Sequence, residues 1–172
     1  MRSSRKNIVL VAAGTLALST FSAGPALADS GHGERGHDHG NLLSEDLVGS
    51  NPAPASPVVA GIAPGGAPWV NGESSARVRS DGRIKIRIRG LVIPIAPFSG
   101  TNPVAMAVAT LVCDNAVADS TKPFALDPAG NGRTRDQIKV PVRCNNPAVL
   151  IQPAGLRSVY IASTTMNDQE DD

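Results

Sequence analysis

The sequence predicts an all-β domain: an antiparallel β-sandwich or partly open barrel of about seven strands, closed by one disulfide. Three observations carry the prediction. Residues 76–89 alternate apolar and cationic side chains on both sides of a Ser80-Asp81-Gly82 turn, which is the period of a half-buried strand pair. Further short apolar runs are separated by clusters of Pro, Gly and Asn, and no segment of useful length inside the domain has a helical period. The chain also holds two cysteines, Cys113 and Cys144, so a single pairing is open to it.

The first residues read as an address rather than as structure. Arg2, Arg5 and Lys6 precede an apolar run from Ile8 to Leu18, too short to span a bilayer. Gly24 and Pro25 break it, and Ala26-Leu27-Ala28 offers the small alternate residues that a signal peptidase accepts. A signal peptide over residues 1–28, cleaved after Ala28, and a secreted protein with no transmembrane anchor are expected. Residues 29–61 then read as a disordered leader. Asp29 to Gly40 is Gly, His and charge, Asn41 to Val48 supports a helical turn at most, and Gly49 to Pro68 is a Pro- and Gly-rich semi-extended linker. The ordered domain is expected over residues 62–165, starting between Ile62 and Trp69, with an acidic tail at 166–172.

Within the domain, register decides the hairpin loop. A two-residue Asp-Gly loop would set Arg79 opposite Ile84 and mix the two faces. A three-residue loop places Val78 against Ile84 and Ala76 against Ile86, with Gly82 supplying the left-handed residue. One face is then apolar and the other carries Arg77, Arg79, Arg83, Lys85, Arg87 and Arg89, with Glu73 placed to meet Arg89 if the pairing continues. Val104 to Cys113 is apolar on both faces and suits a central strand. A short strand at Phe124 to Leu126 runs into the turn cluster Asp127 to Gly132. Ile138, Val140, Val142 and Cys144 share one face of the next expected strand, which Pro141 confines to an edge or a bulge. Ala148 to Gln152 and Ser158 to Ser163 complete the set.

The core must be thin, because only 3% of residues are aromatic and aliphatic side chains bury less area apiece. Export to an oxidising compartment makes a Cys113–Cys144 disulfide the expected staple. Closing a loop of about 30 residues contributes roughly 3 kcal/mol.

Gly66-Ala-Pro-Trp69, Ala76-Arg-Val-Arg, Asp81-Gly82-Arg83 and Arg89-Gly90-Leu91-Val92, extended by Asn102-Pro-Val, Leu111-Val-Cys113 and Cys144 to Val149, resemble a group of small secreted actinobacterial-type β proteins without an assigned activity. The resemblance covers most of the domain. It implies a secreted β domain with one disulfide and brings no catalytic or binding residue with it. A looser fold-level analogy is to immunoglobulin-like or transthyretin-like sandwiches.

The chemistry-bearing residues exclude more than they suggest. His32, His37 and His39 lie in the leader, so a Ser-His triad inside the domain has no base. Two mutually bonded cysteines leave no thiol nucleophile. Asp114, Asp119, Asp127 and Asp136 sit beside turn residues, where carboxylates usually cap local backbone. No Gly-rich phosphate loop joins a strand to a helix, so no cofactor and no enzyme activity are expected. His32, Glu34, His37, Asp38 and His39 form a metal-like spacing that would have to be ordered before it could bind, which argues for weak binding at best.

Charge is split along the chain. Residues 29–61 hold Arg35 against Asp29, Glu34, Asp38, Glu45 and Asp46, and the tail adds Asp168, Glu170, Asp171 and Asp172. Between them, residues 62–165 hold twelve Lys and Arg against six Asp and Glu. In the expected register Arg79 faces Arg83 and Arg77 faces Lys85, and like charges directly opposite are unfavourable. Either an acidic end of the chain or an external polyanion would neutralise them; an edge hairpin also uses such charges simply to resist aggregation. The leading functional expectation is a non-catalytic interaction domain whose basic hairpin face contacts an anionic cell-wall or surface polymer. The alternative is a secreted hydrolase inhibitor presenting the Pro-rich loop Ile93 to Pro103. Nucleic acid fits poorly, since no aromatic residues are interleaved for stacking. No heptad or symmetric pattern specifies an oligomer.

Overall fold

A computed structural model of the protein describes residues 40–164. The strands in chain order are β1 (Asn41–Gly49), β2 (Ala63–Pro64), β3 (Ser75–Arg79), β4 (Arg83–Ile88), β5 (Met106–Cys113), β6 (Ala116–Ser120), β7 (Phe124–Ala125), β8 (Gly132–Gln137), β9 (Ala148–Pro153), β10 (Val159–Tyr160) and β11 (Ala162–Thr164). Among the described residues there is no helix. Nine strands form an antiparallel sheet in the order β6-β5-β9-β11-β1-β3-β4-β8, with β7 also on β5, and the sheet curls into a half-barrel. β2 and β10 form a separate parallel pair.

The hairpin register is the one that the alternation demands. Val78 pairs with Ile84, Ala76 with Ile86 and Arg77 with Lys85. Val78, Ile84, Ala76 and Ile86 are buried. Gly82 closes the three-residue loop with φ +87, and a Cβ there would lie 2.1 Å from the Ile138 carbonyl oxygen, so the turn excludes a side chain on two counts. Glu73 does not meet Arg89: the Gly72 N–H donates to the Arg89 carbonyl at 2.8 Å, and the Arg89 N–H donates to the Ser74 hydroxyl at 3.0 Å. The ladder slips beyond Ser75, and no ion pair between Glu73 and Arg89 forms among the described residues.

β5 is paired on both sides, as its two-sided apolar character requires, and runs one strand in from the sheet's end between β9 and the outer strands β6 and β7. Ala107, Ala109, Leu111 and Cys113 enter a main core shared with Ala76, Val78, Ile84 and Ile86 of the hairpin. Val112 on the other face joins a second cluster with Val59, Ile62, Ala148, Leu150 and Tyr160.

That second cluster corrects the leader boundary. The residues expected to form a disordered linker up to position 61 cover the outer face of β5 and β9. Prolines supply few donors, so the stretch needs few partners, and those it needs are present. The Tyr160 hydroxyl donates to the Pro57 carbonyl at 2.7 Å, Val59 and Ile62 exchange backbone bonds at 3.0 and 2.8 Å, and the Ala60 N–H donates to Asn115 Oδ1 at 2.6 Å.

β1 is a second correction, because a strand stands where the sequence supported a helical turn at most. Residues Asn41 to Asp46 pair with β3, and Leu47 to Gly49 pair with β11. The strand changes partners midway and so joins the two halves of the sheet. Leu43 and Leu47 both enter the main core. Their spacing of four imitates a helical period, and a register shift between Asn41 and Leu43 breaks the alternation that would have marked a strand.

The strand expected at Ile138 to Cys144 lies upstream instead, as β8. Gly132 to Gln137 pairs with all of β4, from Arg83↔Gln137 to Ile88↔Gly132. Ile138 is buried and Val142 fully exposed, so the expected shared face does not exist. Pro141 lacks the donor a ladder needs. The segment is held instead by Cys144, whose disulfide to Cys113 is present with the Cα atoms 4.9 Å apart. No helix among the described residues is long and apolar enough to cross a membrane.

Candidate anion-binding face

Paired residues of neighbouring strands share a face, so the ladder registers define rows across β3, β4 and β8. One row reads Arg77, Lys85, Arg135 and the next reads Ser75, Arg87, Arg133. Directly opposed residues sit about 5 Å apart. Three cations therefore stand side by side in the first row and two in the second. Arg77, Arg83, Lys85, Arg87, Arg89, Arg133 and Arg135 are exposed, and Arg79 is half-buried. Arg133 and Arg135 escaped the sequence reading. Their alternation in Gly-Arg-Thr-Arg-Asp-Gln is the trace a polar edge strand leaves, but it lacks the apolar partner residues that mark a strand on sight.

Asp81 neutralises the hairpin tip. Its carboxylate accepts from Arg83 Nη2 at 2.6 Å and Nε at 2.8 Å, and lies 3.7 Å from Arg79 Nε. The Arg83 bonds hold the Asp81 carboxyl below its ordinary range and raise the guanidinium in turn. Among the described residues these are the ion pairs on the face. Arg77 Nε donates to the Ser44 hydroxyl at 3.3 Å. Two open depressions lie on the face, of about 400 and about 880 Å³. Lys85 and Arg135 line both and stand between them.

The four carboxylates considered for acid–base chemistry are otherwise engaged; Asp114 accepts from the Asn145 N–H at 3.3 Å, and the other three are held by shorter backbone bonds. Asp119 accepts from the Lys139 and Ser120 N–H groups at 2.7 and 2.8 Å, and Asp136 from the Lys122 and Gln137 N–H groups at 2.7 and 2.9 Å. Asp127 accepts from the Asn131 N–H at 2.8 Å. These backbone bonds lower all three pKa values, the reverse of what a general acid requires. Asp119 on β6 reaches Lys139, just past β8, while Asp136 on β8 reaches Lys122, just past β6, so the pair pins together the two ends of the sheet. A depressed carboxylate stabilises the fold above its unfolded-state pKa, and that contribution is lost as pH falls through the folded value. Asp119→Asn with Asp136→Asn is therefore expected to flatten the loss of stability below about pH 4, read from thermal melts between pH 7 and pH 2.

The Pro-rich loop is curled rather than extended. Ser99 and Gly100 donate to the Ile95 and Ile93 carbonyls at 2.8 Å each, and Thr101 N–H to Phe98 at 3.0 Å. Its backbone groups are used internally, whereas a protease pairs with an extended segment. Among the described residues no group of His, Cys, Asp and Glu could hold a metal. Residues 1–28, expected to form a signal peptide, the metal-like spacing at His32, Glu34, His37, Asp38 and His39, and the acidic tail 166–172 lie outside the described residues.

Fold and face together define an all-β, disulfide-stapled domain with one strongly cationic sheet surface. No protein-family model matches the chain, and no curated protein or solved structure matches it.

Proposed function

We propose that the protein is a secreted, non-catalytic binding domain that attaches to an anionic polymer at the cell surface through the outer face of β3, β4 and β8. The row Arg77, Lys85, Arg135 carries this reading. Three cations held side by side repel one another, and a fold tolerates that cost most readily where a ligand offsets it. The disulfide supports an oxidising destination, and the N-terminal Arg2, Arg5 and Lys6 before an apolar run support the export route.

The test is retention on an immobilised anionic polymer across a salt series, for the full chain and for Lys85→Glu. Leaving out Arg79 and Arg83, which Asp81 engages, six cations remain: Arg77, Lys85, Arg87, Arg89, Arg133 and Arg135. For a flexible polyanion, log affinity is then expected to fall against log salt with a slope of roughly −4. Lys85→Glu sets a carboxylate between Arg77 and Arg135, so its stability is expected to rise by about 0.5 kcal/mol while retention collapses. Retention unchanged by Lys85→Glu, or insensitive to salt, overturns the proposal.

A further inference from the structure

We infer that the polymer is a linear polyol phosphodiester with three carbons between successive phosphates, lying along β4 with the Lys85–Arg135 pair beneath its centre. The inference rests on the function proposed above and names its ligand. Cations on one face of a strand recur every second residue, about 6.7 Å apart. Lys85 and Arg87 follow that spacing on β4, with Arg83, held by Asp81, before them and Arg89 just past the strand's end, and Arg133 and Arg135 follow it on β8. Six bonds separate the phosphorus atoms of a three-carbon repeat, and at about 1.2 Å of advance per bond in an extended zigzag they span about 7 Å. A pyrophosphate link has two such bonds and spans less than half of that. The strand and the polymer therefore run in step.

Four features of the face narrow the class further. β3, β4 and β8 contain no aromatic residue, so neither sugar rings nor bases find a stacking surface, and the charge being read belongs to the ligand backbone. The large exposed apolar residues Val48, Val58, Val70, Ile95, Met106, Val117, Val142 and Leu156 all lie off these three strands, whereas a face that enters a lipid headgroup layer couples cations to apolar side chains. Five of the six cations counted above are Arg, whose forked donors suit the paired oxygens of a phosphodiester. The two depressions meeting at Lys85 and Arg135 make adjoining subsites, so a ligand with several phosphates is held where a single phosphate is not.

The six residues of β4 extend about 20 Å, which is three repeats or roughly four phosphates. The experiment titrates the full chain with glycerol-phosphate oligomers of increasing length. Affinity is expected to climb steeply up to about four phosphates and then level off. Lys85→Gln with Arg135→Gln is expected to weaken the longest oligomer at least tenfold, whereas Arg157→Gln, an exposed cation between β9 and β10, is expected to change it less than twofold. Inorganic polyphosphate of equal charge, oligothymidylate and phosphatidylglycerol vesicles serve as comparisons. Affinity that keeps rising in proportion to length, or tighter binding of any comparison probe, overturns the inference while leaving the anionic-polymer function standing. Absence of salt-dependent binding to every polyanion removes both.

Discussion

A chain shortened to begin at Ile62 is expected not to fold. The truncation would respect the domain boundary read from composition, yet it removes β1, which lies between β11 and β3. Without it Ser75 to Arg79 loses its ladder on one side, Ala162 to Thr164 loses its own, and the sheet separates into two pieces with exposed edges. Leu43, Leu47 and Val59 leave the two cores at the same time. Burying one such aliphatic side chain contributes about 1.5–3 kcal/mol, so these three alone approach the whole stability of a small domain, about 5–15 kcal/mol. A chain beginning at Gly40 is expected to keep the β-rich far-ultraviolet spectrum and a cooperative melt; one beginning at Ile62 is expected to show neither. A cooperative melt from the shorter chain would show that β1 is dispensable and would undo the account of how the two halves join.

Breaking the disulfide is expected to cost about 3 kcal/mol and to lower the melting temperature by about 10 °C. Cys113 ends β5, one strand in from the β6 edge of the sheet, and Cys144 lies in the irregular segment after β8, 31 residues further on. No ladder holds that segment. Apart from the covalent link it is tied by contacts of Ile138, Val140 and Cys144 with the main core, by the Ile138 and Lys139 N–H groups on the Gly82 carbonyl and Asp119, and by Asn145, whose carbonyl accepts from the Asp114 N–H at 2.9 Å and whose N–H donates to the Asp114 carboxylate at 3.3 Å. Cys113→Ser with Cys144→Ser therefore leaves the chain from about residue 139 to 147 held only by these few bonds, and the loss is expected to appear first as faster amide exchange at Lys139 and Asn145. Calorimetry of the double variant measures the cost. An unchanged melting temperature would mean that the surrounding packing already closes the loop.

Legibility in the sequence followed the range of the contacts. The hairpin was readable because its partners, Val78 with Ile84 and Ala76 with Ile86, lie a few residues apart and one alternating pattern records both strands. β5 was readable because burial on both faces left an unbroken apolar run. β1 was not readable, since its partners Arg79 and Thr164 lie 38 and 117 positions beyond Asn41 and Leu47 and its change of partner erases any single period. β8 was misplaced because the next apolar alternation, Ile138 to Cys144, outweighed a polar strand whose pairing to β4 is long-range.

The same division runs through the candidate site. Residues 76–89 determined by themselves that six cations share one side of a hairpin, because backbone pleat and turn length are local properties. The position of the histidines was equally plain: none lies between Gly40 and the C-terminus, so a Ser-His triad there has no base. Only the tertiary structure decided that β8 lies against β4, setting Arg135 beside Lys85 and Arg133 beside Arg87 and turning a charged hairpin into a three-strand surface. It also decided that Asp81 spends its charge on Arg79 and Arg83. Which strand lies beside which depends on how distant segments share a core, and no single segment carries that information.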